Sequence, residues 1–184
     1  MPSLITFDEL RKINRDIITE SVDLIKTARS DVYEKNIFLS YASADIELLP
    51  SIIKILKNHG GNPYIDKGDD SLPNPPSVKT AKILKDNIKS CKRMVLFVTT
   101  NSKESKWIPW ELGIGDGSKT QNDIALFPSA EKSYETSWSE QEYLGLYRRI
   151  VFGNMKGYSE SLWMVWDHIE NTATPLKDWL KSYY

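Results

Sequence analysis

The chain has 184 residues, 40% of them hydrophobic and 27% charged, which is the size and composition of one folded domain. Its 24 basic and 25 acidic residues leave a formal charge of −1, and this balance argues against a nucleic-acid-binding protein, which needs a basic surface. No apolar run approaches the ~20 residues of a membrane span, and the N-terminus lacks the apolar region of a signal peptide. These features predict a cytoplasmic protein that binds neither nucleic acid nor membrane.

Cysteine and histidine are scarce. The single cysteine, Cys91, excludes an intrachain disulfide and fits a reducing compartment. Cys91 lies on the apolar side of a predicted helix, so we expect a buried, inert thiol. Only His59 and His168 accompany it, which gives little basis for a metal site. We therefore predict no metal site.

The first 35 residues form an N-terminal extension. Thr6 and Glu9 have the spacing of a capping box, which marks a helix start. Apolar residues recur at helical spacing after this point and predict one amphipathic helix over residues 7–30. This helix either packs on the domain that follows or contacts a partner, and the sequence does not decide between the two.

From residue 36 to the C-terminus, predicted strands and helices alternate. Strands are predicted at 36–41, 62–66, 93–99 and 123–127, with a fifth at either 149–152 or 162–166. Helices are predicted after a Ser43 N-cap, from Val78, from Trp107, at 139–147, and after a Thr174-Pro175 cap. The alternation predicts a central parallel five-stranded sheet with helices on both faces, in which ligands bind beyond the carboxyl ends of the strands.

Trp107 and Glu111 are the candidate reactive pair. They are four residues apart at a predicted helix start, so their side chains can share one face. We place Glu111 in the first helical turn, where the helix dipole favours a carboxylate. An indole can stack on the pyridinium ring of NAD⁺, and a carboxylate stabilises the positive charge that develops on the ribose as nicotinamide leaves. The same residues also fit a surface glutamate and a Trp-x-x-Trp pair that packs in the core.

Three segments resemble, in the correct order, the conserved boxes of Toll/interleukin-1 receptor (TIR) domains. NIFLSYASAD, at 36–45, is similar to the first box, in which a strand ends in a Ser-Tyr or Ser-Phe pair. NPYIDKGDD, at 62–70, resembles the second strand and the start of the so-called BB loop. RMVLFVTTNSKESKWIPWELG, at 93–113, resembles the third strand, the loop after it and the Trp-x-x-x-Glu pattern of catalytic TIR domains.

This resemblance implies a flavodoxin-like TIR domain over 36–184 that releases nicotinamide from NAD⁺, with ADP-ribose or a cyclic ADP-ribose isomer as the other product. NAD⁺ is then a substrate and not a cofactor. By position, Glu111 matches the catalytic glutamate of the family. The positions that match substrate-binding residues are Ser40, Tyr41, Ala42, Asp66, Lys67 and Trp107. The loop over residues 67–77 matches the one through which family members self-associate.

A TIR domain with no second domain beside it looks like the bacterial TIR proteins of Thoeris anti-phage systems, which make a nucleotide signal for a separate effector protein. Two alternatives stay open. A non-catalytic TIR adaptor would not need Trp107 and Glu111, so their presence counts against it. An enzyme similar to nucleoside deoxyribosyltransferases would have a related fold and would also use a glutamate. Neither the product, the activating trigger nor the role of the N-terminal helix follows from the sequence.

Overall fold

The computed structural model describes residues 2–30, 32–66, 77–136, 139 and 142–181. The strands are β1 (Ile5–Thr6), β2 (Ile37–Tyr41), β3 (Pro63–Tyr64), β4 (Arg93–Val98), β5 (Ile124–Ala130), β6 (Arg148–Gly153), β7 (Leu162–Asp167) and β8 (Thr172–Pro175). The helices are α1 (Phe7–Asp16), α2 (Ser21–Arg29), α3 (Leu49–Asn58), α4 (Val78–Ser90), α5 (Trp107–Asp116) and α6 (Leu176–Lys181). None of these helices combines the length and the apolar character that crossing a membrane requires.

Five strands form a parallel sheet in the order β3-β2-β4-β5-β6, as the alternating sequence pattern predicts. Every residue of β2 and of β4 is buried, because helices cover both faces of the sheet. Since the strands are parallel, their carboxyl ends share one edge. The loops that follow β2, β3 and β4 therefore meet at that edge, which is where ligands bind in this class of fold.

The sheet continues beyond the five predicted strands. Both segments that compete for the fifth position form strands, because β6 runs parallel to β5 and β7 runs antiparallel to β6. β8 then pairs antiparallel with β7 and ends at Pro175, and the predicted terminal helix, α6, begins directly after it at Leu176. The connections between these strands are too short for a crossover helix, which explains their antiparallel direction.

Two apolar clusters lie on opposite faces of the sheet. One contains α1, α2, α3 and α6, and the other contains α4 and α5. Cys91 lies in the second cluster, where burial raises the pKa of its thiol to about 11 and keeps it protonated at neutral pH. The chain after β2 begins as a 3₁₀ helix over Ser43–Leu48, with Ala42 at the cap position, so the predicted Ser43 N-cap is wrong.

The N-terminal segment forms two helices and not the single helix predicted over residues 7–30. The predicted capping box is confirmed, because Thr6 Oγ1 accepts a hydrogen bond from the Glu9 N–H and the Glu9 carboxylate accepts one from the Thr6 N–H. α1 ends at Asp16, where the β-branched run Ile17-Ile18-Thr19 weakens the helix. The turn at this point lets α1 and α2 both pack on α3.

Strand pairing and hydrogen bonds to main-chain carbonyls join the N-terminal segment to the rest of the chain. β1 pairs in parallel with the end of β5, and Ser129 Oγ donates a hydrogen bond of 2.7 Å to the Ile5 carbonyl. From α3, Ser51 Oγ donates to the Leu10 carbonyl at 2.6 Å. The segment therefore packs on the domain behind it. The division of the chain at residue 35 into two units stays a prediction.

We predict that Leu10→Ala lowers the free energy of unfolding by about 2–5 kcal/mol, because the side chain of Leu10 on α1 is fully buried in the apolar cluster that contains α1, α2, α3 and α6. Val22→Ala is the control, since Val22 is 73% exposed on α2 and its truncation should change stability by less than about 0.5 kcal/mol. Urea denaturation followed by circular dichroism measures both. Equal, small effects would show that α1 is not packed as described.

Candidate active site

Helix α5 carries both members of the candidate reactive pair. It contacts β2 and β4, and its buried residues Ile108 and Leu112 face the apolar cluster on that side of the sheet. Pro109 lies in its first turn. Backbone N–H groups in that turn have no partner within the helix, so the N–H that proline lacks removes no helical hydrogen bond. Trp107 and Glu111 lie one turn apart, so both side chains share one face of this helix.

The Glu111 carboxylate is held by a serine from the sheet. Ser40 Oγ donates a short hydrogen bond of 2.5 Å to Glu111 Oε2. Glu111 is 1% exposed and Ser40 is fully buried at the end of β2. A buried carboxylate requires such a partner, and the bond also restricts where its oxygens point.

The helix dipole is not what holds this carboxylate. Glu111 is the fifth residue of α5, so the prediction that it lies in the first turn is wrong. The field of the dipole falls off within that turn, and its contribution at Glu111 is small. The hydrogen bond from Ser40 is a local contact that stabilises the Glu111 carboxylate.

Trp107 begins α5 and is half-buried. Its ring meets the ring of Trp110 edge to face, with centroids 5.4 Å apart and planes at 87°. Lys85 Nζ in turn lies 5.9 Å from the centroid of the Trp110 ring. These contacts hold the Trp107 indole in one orientation while part of it stays open to solvent.

The other predicted substrate-binding residues lie at the ends of β2 and β3. Tyr41 and Ala42 are buried where β2 ends, and Asp66 is buried just after β3. Burial raises the pKa of the Tyr41 phenol, and the negative charges of Asp66 and Glu111 raise it further. Lys67, and the predicted self-association loop apart from its last residue, lie outside the described residues.

A second polar contact at this edge did not follow from the sequence. Asp45, the last residue of the first-box segment, is 2% exposed. Its carboxylate accepts hydrogen bonds from Thr99 Oγ1 at 2.8 Å and from Asn101 Nδ2 at 2.6 Å. Asp45 therefore ties the loop after β2, the strand that carries Ser40, to the loop after the neighbouring strand β4.

The described part of the chain contains no group of three or more His, Cys, Asp or Glu residues able to hold a metal ion. Two surface cavities, of about 470 and 150 Å³, lie at other places. The larger one is lined by residues such as His59, Trp163 and Lys177, and the smaller one by residues such as Pro128 and Trp166. Neither includes Ser40, Trp107 or Glu111 in its lining.

Comparison with known proteins gives two matches. The family model described as "TIR domain" matches residues 37–158. A protein of Bacillus cereus strain MSX-D12, named "Probable 3' cyclic ADP-D-ribose synthase ThsB'", is 34% identical over 139 residues. That similarity covers 72% of this chain and 71% of the Bacillus protein. The family match includes β2, β3 and α5 and begins after the N-terminal segment.

We predict that Gly115→Ala lowers the free energy of unfolding by about 1–3 kcal/mol, because a Cβ at this position would overlap Met94 Sδ in β4. Gly113→Ala on the same helix is the matched control. Nothing lies within 4 Å of its added Cβ, so the alanine should leave stability unchanged or raise it by up to about 1 kcal/mol. Chemical denaturation of both variants checks the close docking of α5, and similar values for the two would contradict it.

Proposed function

The chain belongs to the TIR domain family, and on that premise we propose that it is an enzyme that cleaves NAD⁺ and releases nicotinamide. The observation that carries the proposal is the Glu111 carboxylate. It is buried at the carboxyl edge of the sheet, bonded to Ser40 and one helical turn from a partly exposed tryptophan. The name of the Bacillus relative, which specifies a cyclic ADP-ribose synthase, supports the same chemistry.

The reaction breaks the bond between the ribose C1′ and the nicotinamide nitrogen. Its electron pair goes to the nicotinamide, which leaves as a neutral molecule, so no general acid is needed. Positive charge develops on the ribose, and the fixed anion of Glu111 stabilises it more in the transition state than in the substrate. The Trp107 indole stacks on the nicotinamide end. A hydroxyl group then adds to C1′ and gives up its proton.

The identity of that hydroxyl decides the product. Water gives ADP-ribose, whereas a hydroxyl of the substrate itself gives a cyclic ADP-ribose isomer. We propose the cyclic product for this chain, because that is the product in the name of its relative. NAD⁺ serves as substrate in this proposal, and the chain needs no further cofactor.

We propose further that the product is a signal in bacterial anti-phage immunity. The support is the resemblance to Thoeris TIR proteins together with the named activity of the relative. In such a system a separate effector protein responds to the product in the cytoplasm. Self-association through residues 67–77 belongs to the same proposal.

We expect Glu111→Gln to lower nicotinamide release from NAD⁺ by about 10²–10³-fold, because the neutral amide cannot stabilise the charge on the ribose. The assay incubates purified protein at high concentration with NAD⁺ and separates the products by chromatography and mass spectrometry. Glu104→Gln is the control, since Glu104 is exposed in the loop before α5. Equal activity in the wild type and the Glu111 variant would refute the role of this carboxylate.

Ser40→Ala tests the hydrogen bond to the carboxylate. Loss of one bond to a charged group is worth roughly 1.5–3 kcal/mol, so we expect kcat to fall about 10–100-fold. Ser40→Thr keeps the hydroxyl and should retain more activity than the alanine variant. An alanine variant with the kcat of the wild type would show that Ser40 does not position Glu111.

A further inference from the structure

A buried carboxylate joins the loop after β2 to the loop after β4. Asp45 is 2% exposed, and each of its carboxylate oxygens accepts a hydrogen bond. Oδ2 accepts from Thr99 Oγ1 at 2.8 Å, and Oδ1 accepts from Asn101 Nδ2 at 2.6 Å. Thr99 is fully buried as well. A buried carboxylate is stable only with donors beside it, so these bonds hold the two loops together.

On one side, these bonds fix the turn that follows the predicted substrate-binding residues of β2. The Asp45 N–H donates to the Ala42 carbonyl at 2.9 Å, at the start of the 3₁₀ helix over Ser43–Leu48. Tyr41 and Ala42 lie immediately before this helix, and both are buried. A displacement of Asp45 would therefore move the backbone of residues that we expect to line the pocket.

On the other side, the same bonds fix the chain that leads into α5. The Asn101 N–H donates to Thr99 Oγ1 at 3.0 Å, so the hydroxyl that binds Asp45 also holds the first turn after β4. Ser105 Oγ then accepts a hydrogen bond of 3.3 Å from a backbone N–H in the first turn of α5. Trp107 is the second residue after Ser105. The contacts of Asp45 therefore help to set where α5 and its tryptophan begin.

Two separate links thus join β2 and its loop to the segment that carries Trp107 and Glu111. The hydrogen bond from Ser40 holds the Glu111 carboxylate, which lies in the second turn of α5. The contacts of Asp45 act instead on the entry to the helix. Ala42 and Trp107 pack in the same apolar cluster beside the sheet. One link therefore orients the acid, and the other sets the tryptophan relative to the β2 loop.

We propose that Asp45 is a positioning residue of the active site. Through its two donors it sets the position of Trp107 relative to Ala42, and the nicotinamide end of NAD⁺ binds between these residues. This inference rests on the proposed function and extends it to a residue that acts through others. Because the catalytic carboxylate keeps its separate bond to Ser40, loss of the Asp45 contacts weakens NAD⁺ binding more than it slows bond cleavage.

The first test exchanges the two partners of one hydrogen bond. Asn101→Asp, at an exposed position, places a second carboxylate against Asp45 and replaces attraction by repulsion. We expect the KM for NAD⁺ to rise about tenfold while kcat stays within about threefold. In the double variant Asp45→Asn/Asn101→Asp the amide and the carboxylate have changed places, so the bond forms again. This double variant should recover most of the wild-type KM.

A matched control separates the hydrogen bond from the net charge of the site. Asn101→Asp adds one negative charge, which by itself opposes an anionic substrate. Glu47 is an exposed acid in the same 3₁₀ helix as Asp45. Glu47→Gln/Asn101→Asp therefore has the net charge of the exchanged variant but lacks its bond, and its KM should stay close to that of Asn101→Asp alone. Equal recovery in the two double variants would overturn the proposal.

Urea denaturation of the same variants tests a purely structural role. If Asn101→Asp loses stability but keeps the wild-type KM, Asp45 only stabilises the fold and the proposal is overturned. Thr99→Val supplies a second measurement, because it removes the other donor without adding charge. We expect it to raise the KM, and Thr99→Ser, which keeps the hydroxyl, to raise it less. A valine variant with the wild-type KM would also overturn the proposal.

A binding measurement separates failure of this inference from failure of the proposed function. Isothermal titration of NAD⁺ into Glu111→Gln protein reports affinity without turnover. Adding Asn101→Asp should weaken binding about tenfold, and adding Asp45→Asn as well should restore it. This pattern supports the inference even when the wild type releases no nicotinamide. Equal binding by all three proteins overturns the inference and leaves the enzyme proposal standing. No NAD⁺ binding and no cleavage in any variant overturns both.

Discussion

The contact between Ser40 and Glu111 depends on how closely α5 lies against the sheet. Ser40 is the last residue but one of a fully buried strand, so its hydroxyl reaches only groups packed directly over that strand. Gly115 provides the closeness, because its missing side chain leaves room for Met94 of β4 under the helix. A carboxylate in this place is tolerable only with a donor beside it. The close packing of α5 on the sheet therefore goes together with the burial of Glu111 and with the orientation of its carboxylate.

The order of the parallel strands places the remaining groups around that acid. β2 has β3 on one side and β4 on the other, so the residues after all three strands meet at one edge. Asp45 joins two of the three loops through Thr99 and Asn101. Residues far apart in the chain therefore share one rigid frame, which suits a reaction that relies on a fixed charge and not on proton transfer.

The sequence predicts best those features whose signals are local. The Thr6–Glu9 capping box, the apolar run of β4 and the alternation of strands and helices are each visible within a short stretch, and each is confirmed. The 3₁₀ start at Ser43 is not visible in this way, because packing on neighbouring elements decides it. The antiparallel direction of β7 and β8 follows from short connections between the strands, and the sequence pattern did not resolve the lengths of these connections.

The residues of the candidate site also divide into those that the sequence predicts and those that it does not. Trp107 and Glu111 stand out through their spacing and through the resemblance to catalytic TIR domains. The partner of Glu111 is 71 residues away in the chain, and spacing carries no signal for such a contact.

The two outer strands of the sheet limit how copies of this chain can associate. One outer strand, β3, has only two residues, and the opposite one, β8, has four residues and ends in a proline. Short outer strands and proline disfavour the addition of a strand from another molecule. Assembly by continuing the sheet from one molecule into the next is therefore disfavoured at both ends. Side-chain contacts between helices and loops are the favoured alternative, so changes to surface residues can alter assembly without changing the sheet.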